Sequence, residues 1–263
     1  MLQSALLNTM IKTARRAGRS LRRDFGEVEN LQVSVKGPGN FVTAADTRAE
    51  EMIYADLEKA RPGYGFLGEE GGAREGTDPT HRWIVDPLDG TSNFLHGLPH
   101  FSISIALERE GTIIAGLVYN PVTEEMFTAE RGKGAFLNDR RLRVAARTRL
   151  RDALIACGLP HFGRGDLDLF KREFDAVVPQ VAGLRHTGSS ALDLAYVAAG
   201  RFDAYWDHEL MAWDMAAGMI LVREAGGFVT DHDDRDDLFE KRNVIAGNSS
   251  IHGDLLKLLK TTR

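Results

Sequence analysis

The spacing of apolar positions divides the chain into predicted elements. Leu7, Met10 or Ile11, Ala14, Ala17, Leu21 and Phe25 recur three and four residues apart, which predicts a helix from about Ser4 to Phe25. Leu31 to Lys36 alternates and precedes the turn Gly37-Pro38-Gly39. A second helix is predicted from near Thr43, whose hydroxyl can cap it with Asp46 in the first turn, and it ends by Pro62-Gly63. Tyr64 to Leu67 reads as a short strand that delivers Gly68-Glu69-Glu70 to a glycine-rich loop, 71–80, the most mobile-looking segment. Trp83-Ile84-Val85 then runs abruptly into Asp86. Pro87 is expected to stop that strand, and a helix is expected to begin near Thr91. Alternation over about 101–108, 112–119 and 125–130 predicts an antiparallel meander. Beyond the arginine-rich connection 140–151 the rhythm changes. Strand-like pieces at 153–157, 203–206, 228–230 and 243–246 alternate with helical ones at about 166–178, 190–199, 213–225 and 250–260, the pattern of an α/β layer.

With 263 residues, 43% of them hydrophobic, the chain can bury a substantial core. No repeat or low-complexity linker interrupts it. The expectation is a single unit over 1–263, with an α+β half (1–145) carrying an antiparallel sheet and an α/β half (146–263). Lys and Arg total 33 against 38 Asp and Glu, a net charge of −5, which gives no general reason to bind nucleic acid or an anionic membrane. No apolar run approaches the roughly 20 residues of a membrane helix. The single cysteine, Cys157, excludes an internal disulfide and a cysteine-based zinc site, and it suits a reducing cytoplasm. Residues 1–23 hold six basic residues and no acidic one, as an amphipathic transit peptide would. Their helical periodicity favours a structural helix with a solvated basic face.

Chemistry concentrates in two stretches. In Asp86-Pro87-Leu88-Asp89-Gly90-Thr91 a tight turn can aim two carboxylates at one point, which requires a cation between them or a shared proton. The N–H groups of Gly90 and Thr91 could hold an anion beside that cation. In Trp213 to Gly227, small residues allow close helix packing, and Asp214 stands at the helix start. Taken alone, Asp214 reads as an ordinary helix cap. Glu69 at a strand end, Asp86, Asp89 and Asp214 together match oxygen ligation of Mg²⁺ or Mn²⁺.

Trp83 to His96 and Trp213 to Gly227 closely resemble the two defining motifs of the inositol monophosphatase family, lithium-sensitive and Mg²⁺-dependent phosphatases. Gly68-Glu69-Glu70 and Asn40 to Asp46 resemble two further blocks, and the likeness runs in order from the first helix to the end. Within the family the bacterial, SuhB-like branch is the nearest likeness. The resemblance implies a layered α-β-α-β-α sandwich of the inositol monophosphatase and fructose-1,6-bisphosphatase type, a homodimer, and two to three Mg²⁺ ions per subunit. Glu69, Asp86 and the Leu88 carbonyl would hold the first ion, and Asp86, Asp89 and Asp214 the second. A weaker third ion would lean on Glu69 and water. The nucleophile would be a metal-activated water, oriented and deprotonated by Thr91 with Asp46 behind it, while Gly90 and Thr91 bind the phosphate. Asp89, Gly188, Ser189, Ser190 and Asp207 fall where the family contacts the polyol. Asp207 stands where the family usually has Glu, one methylene longer, which bears on the preferred substrate and leaves the reaction unaffected.

The implied reaction is hydrolysis of myo-inositol monophosphates. The alternatives keep the chemistry on fructose 1,6-bisphosphate, histidinol phosphate or phosphoadenosine phosphate, or make the chain a partner of a transcription complex containing RNA polymerase. Arg140, Arg141, Arg143, Arg147, Arg149 and Arg151 are the only feature that invites the last reading; they are otherwise expected to form a solvated or dimer-facing connection. Lys36 matches a family lysine near the metals and equally suits a solvated strand end. Asp231 to Asp237 is expected to be a solvated loop. Cys157 is expected to be a small buried residue. The eight histidines show no ligand spacing, and His186 and His208 are expected to be local hydrogen-bonders.

Overall fold

Helix α1 (Ala5–Phe25) starts where Ser4 caps it, its hydroxyl accepting the Leu7 N–H at 3.1 Å. The apolar stripe from Leu7 to Leu21 is buried, and Lys12, Arg15, Arg16, Arg19, Arg22 and Arg23 are exposed on the other side, as the periodicity requires. The structure, a computed structural model, describes residues 4–27, 33–37, 40–161 and 163–263, with backbone alone for 33–37 and 40–43. Strands β1 (Val33–Gly37) and β2 (Asn40–Thr43) form an antiparallel ribbon ahead of α2 (Ala44–Ala60). Pro38 and Gly39 of the predicted turn lie outside the described residues, as do the side chains of Lys36 and Thr43.

There follow β3 (Tyr64–Gly68), β4 (Gly72–Arg74), β5 (Asp78–Asp89), α3 (Thr91–Leu95), β6 (Ser102–Arg109), β7 (Thr112–Asn120), β8 (Glu125–Glu130), β9 (Gly134–Leu137) and β10 (Arg140–Arg141). The strands make one eight-stranded sheet, β10-β9-β8-β7-β6-β5-β3-β4, antiparallel except where β3 meets β5. Two expectations change here. The loop predicted over 71–80 is mostly strand, because β4 turns back on β3 and β5 begins at Asp78. Pro87 does not stop its strand either; the pairing continues past it through a bulge.

The remaining elements are β11 (Leu154–Cys157), α4 (Leu167–Val177), β12 (Gly183–Arg185), α5 (Ser190–Ala198), β13 (Ala204–His208), α6 (Ala212–Glu224), β14 (Phe228–Thr230), α7 (Leu238–Lys241), β15 (Asn243–Gly247) and α8 (Ser249–Lys260). The second sheet, β12-β11-β13-β15-β14, is mixed: β12, β11 and β13 run parallel, and β15 is antiparallel to both of its neighbours. β12 and α7 are too short for periodicity to reveal.

Alternation along the strands sorts the core into three slabs. Trp83 and Val85 of β5 join Met10, Leu21, Ile53 and Leu57 under α1 and α2. Ile84, between them, faces the opposite way into a slab filled by Leu192, Leu194, Met215 and Leu221 of α5 and α6, together with Tyr205 and Val244 of the second sheet. Trp206 and Ile245 face outward onto Val177 of α4 and Leu255 of α8. The result is five layers, α-β-α-β-α, as expected. Helix α6 is buried all round from Asp214 to Val222 because it lies between two sheets, so it shows no apolar stripe. Its Gly218 admits α5 closely: a Cβ there would sit 2.4 Å from Cβ of Leu194.

Candidate active site

The site begins at the β5 bulge. Asp86 pairs with Ser104 and Asp89 with Ser102, so three steps on β5 oppose two on β6. Pro87, with no N–H, suits the interrupted ladder. The bulge gives both carboxylates access to one cavity of about 1130 Å³. Asp86 Oδ1 accepts the Leu88 N–H at 2.9 Å, and the Thr91 hydroxyl donates to the Leu88 carbonyl at 3.1 Å. Gly90 precedes α3 at φ +98°, a left-handed conformation that a side chain would strain.

The cavity brings together Glu69, Asp86, Leu88, Asp89, Gly90 and Thr91 with Gly188, Ser189, Ser190, Asp207 and Asp214. Glu69 follows β3, its N–H bonded to the Val85 carbonyl at 3.2 Å. Asp214 lies in the first turn of α6, where its Oδ2 accepts the Met211 N–H at 2.8 Å. Asp214 therefore does cap its helix, from inside the turn, while lining the cavity. Asp89 Oδ2 accepts the Ser189 hydroxyl and, at 2.8 Å, the Ala191 N–H, which joins the two halves of the chain at the site. Asp46 is buried in the first turn of α2 and is not part of the cavity lining.

These acids crowd one another. Burial first, then the charges of Glu69, Asp89 and Asp214, push the Asp86 carboxyl well above the ordinary carboxylate range. Burial lifts Asp89 to about 7; the Ser189 hydroxyl partly offsets this, and Asp214 adds to the rise. Asp214 is raised by burial against the opposing pull of Arg164, whose Nη2 lies 3.3 Å from Oδ2. Four carboxylates and one carbonyl form an all-oxygen donor set in which Asp86, Asp89 and Asp214 resist ionisation. Such a set fits a hard divalent cation, Mg²⁺ or Mn²⁺, which would restore the charged forms.

The opposite wall is satisfied within the chain. Asp207 accepts from the Tyr205 hydroxyl at 2.5 Å, the His208 N–H at 2.7 Å and the Ser190 hydroxyl at 3.4 Å. A Cβ on Gly158 would lie 1.9 Å from Asp207 Oδ1, so only glycine lets β11 approach this carboxylate. Asn93 of α3 donates to the carbonyls of His100 and Thr187 at 2.7 and 2.8 Å, pinning the Gly188 turn against the Gly90 turn.

Sequence reasoning did not find Glu50, Asn93, Arg164 or Tyr205. Glu50 is buried on α2, and its carboxylate accepts the N–H groups of Glu70 and Gly71 at 2.9 and 2.6 Å. It fixes the turn that carries Glu69. A charged residue in line with Ile53 and Leu57 was the one available signal. His186 is a local hydrogen-bonder, its Nδ1 3.1 Å from the Cys157 carbonyl, and Cys157 is buried with its thiol pushed up to about 12. The solvated loop expected at 231–237 holds for Asp233 to Asp237, which are exposed, but not for its first two residues. Asp231 and His232 are buried, because Asp231 folds the turn by accepting the N–H groups of Asp233 and Arg235. No helix among the described residues is long and apolar enough to cross a membrane.

Comparison with known proteins bears on the whole chain. The model of the "Inositol monophosphatase family" matches residues 2–262. An inositol-1-monophosphatase of Mesorhizobium japonicum is 61% identical over 99% of this chain and 98% of its own length. A Nus factor SuhB of Pseudomonas aeruginosa is 44% identical over 97% of this chain and 96% of its own. The crystal structure of extragenic suppressor protein suhB from Bartonella henselae superposes with a TM-score of 0.96 at 56% identity, covering 98% of this chain and 99% of that one. The chain belongs to the inositol monophosphatase family.

Proposed function

We propose that this member of the inositol monophosphatase family hydrolyses myo-inositol monophosphates with two to three Mg²⁺ ions per subunit. The observation that carries the reading is the convergence of Glu69, Asp86, Asp89, Asp214 and the Leu88 carbonyl beside the Gly90–Thr91 turn in one cavity. Glu69, Asp86 and Leu88 would hold one ion and Asp86, Asp89 and Asp214 a second. When bound, the ions supply neutralisation of the phosphate oxygens and of the leaving alkoxide, and acidify a water. The chain's own part is to hold and orient. The N–H groups of Gly90 and Thr91 seat the phosphate. The Thr91 hydroxyl would align the attacking water and pass its proton to Asp46, buried behind it outside the cavity lining. Asp89, Gly188, Ser189, Ser190 and Asp207 receive the polyol hydroxyls. The segments 1–145 and 146–263 work as one catalytic unit, since each contributes a wall and metal ligands. A homodimer, lithium inhibition and a cytoplasmic location complete the reading on the family likeness.

The decisive experiment is phosphate release from inositol 1-phosphate, fructose 1,6-bisphosphate, histidinol phosphate and phosphoadenosine phosphate, with and without Mg²⁺. Mg²⁺-dependent turnover led by inositol 1-phosphate is expected. Turnover led by another ester moves the substrate to that relative, an outcome that Asp207 in place of the family Glu makes specific. Silence on all four overturns the reading. A second role, in a transcription complex, is supported by the Nus factor name of the Pseudomonas relative. Co-purification with RNA polymerase tests it separately from turnover.

A further inference from the structure

Glu173, His208 and His232 come from distant points of the chain: α4, the last residue of β13 and the turn after β14. His208 Nε2 lies 2.9 and 3.0 Å from the two carboxylate oxygens of Glu173, and His232 Nδ1 lies 3.9 Å from Oε1. One donor atom from each of the three lies within 4.8 Å of the others. A tetrahedral ion with N and O ligands at about 2.1 Å holds its donors about 3.4 Å apart, so shifts of about an ångström would close the set.

His232 supplies a second, independent observation. It is 1% exposed, and neither ring nitrogen meets a hydrogen-bond partner in good geometry. The backbone groups of Val244 and Asp207 approach the ring as looser hydrogen-bond partners and favour its protonated form. Burial holds the ring neutral, its pKa pushed down to about 2, so a lone pair is available for a ligand. Glu173 is fully buried, and Trp206 Nε1 donates to its Oε2 at 3.1 Å, the kind of outer contact that orients a metal-binding carboxylate. His208 also lines the large cavity, which gives an ion a way in and leaves room for a water as fourth ligand.

We propose that Glu173, His208 and His232 bind one zinc-class divalent cation, at a site sharing no ligand with the carboxylates of the active site. Two imidazoles and one carboxylate favour zinc or cobalt over the Mg²⁺ suited to the all-oxygen set. The ion would tie α4 to β13 and to the turn after β14, holding His208 beside Asp207.

The test is Co²⁺ titration of the full chain in saturating Mg²⁺, read by visible absorption and by bound metal per chain. One Co²⁺ per chain is expected, with the intense band of a low-coordinate imidazole site, displaced by equimolar Zn²⁺. Glu173→Gln, which keeps an acceptor for Trp206, and His232→Asn should each lose the band and weaken binding at least about tenfold. Absence of the band in the wild-type chain overturns the proposal, as does a band that survives in Glu173→Gln. Should His232→Asn fail to fold, Glu173→Gln and the wild-type titration decide.

Discussion

The two walls of the large cavity are built on opposite principles. On one, Asp86 and Asp89 sit three residues apart on a bulged strand, and their neighbours Glu69 and Asp214 add charge of the same sign. On the other, Asp207 is half-buried, as Asp89 is, but has three donors from within the chain, the Tyr205 hydroxyl, the His208 N–H and the Ser190 hydroxyl. Asp207 is still raised by burial, while its named neighbours Tyr205, His208 and Arg164 all pull it back. The first wall repels itself and is complete only with cations. The second is already hydrogen-bonded and presents fixed groups to whatever enters. In the proposed function, chemistry falls to the wall under strain and discrimination to the wall at rest.

The largest effect that would sharpen this contrast is Asp214→Asn. Loss of a charge that acts on the metal side should lower kcat by at least about 10²-fold. The same change relieves repulsion and should leave the melting temperature of the metal-free protein unchanged or raised. Retention of more than about a tenth of kcat at saturating Mg²⁺ would remove Asp214 from the first wall. Glu50→Ala comes next. It strips the Glu70 and Gly71 N–H groups of their acceptor, costing about 1–3 kcal/mol and loosening the turn that carries Glu69. Mg²⁺ half-saturation should rise about tenfold, while the ranking of substrates stays the same. A changed ranking with unaltered Mg²⁺ dependence would place Glu50 on the wrong side of the comparison. The smallest effect is Asp207→Glu, which adds one methylene to the second wall. It should shift kcat/KM ratios among phosphate esters by about tenfold or less and leave Mg²⁺ dependence alone. Equal change for every ester would show that Asp207 does not discriminate.

What could be read in advance followed the distance between residues along the chain. Asp86, Leu88, Asp89, Gly90 and Thr91 are consecutive or nearly so, and a proline and a glycine among them announce a turn. Trp213 to Glu224 lie in one helix with Asp214 in its first turn. The antiparallel meander and the α/β layer were legible because strand alternation and helical periodicity survive wherever one face is buried, whereas the five-layer stacking was implied by the family resemblance. These patterns failed where elements are short, as at β4, β12 and α7, and at Pro87, where a bulge replaced the expected stop. Glu50 and Asn93 act through partners 20 and 94 residues away, and only the charge of Glu50 in line with Ile53 and Leu57 gave a local sign of either. His232 was assigned to a solvated loop for the same reason: its surroundings come from α4 and β13, more than twenty residues upstream.

Sequence alone determined which stretches become helix or strand, where the acid-rich turns fall and which family motifs they form, because these depend on neighbours within a few residues. Tertiary structure decided which acids share a volume, which carboxylates are already satisfied, and that Glu173, His208 and His232 converge. Burial and mutual charge are properties of assembled layers. A carboxylate such as Asp86 or Asp207 is crowded by like charges or held by fixed donors only once two sheets have closed around it.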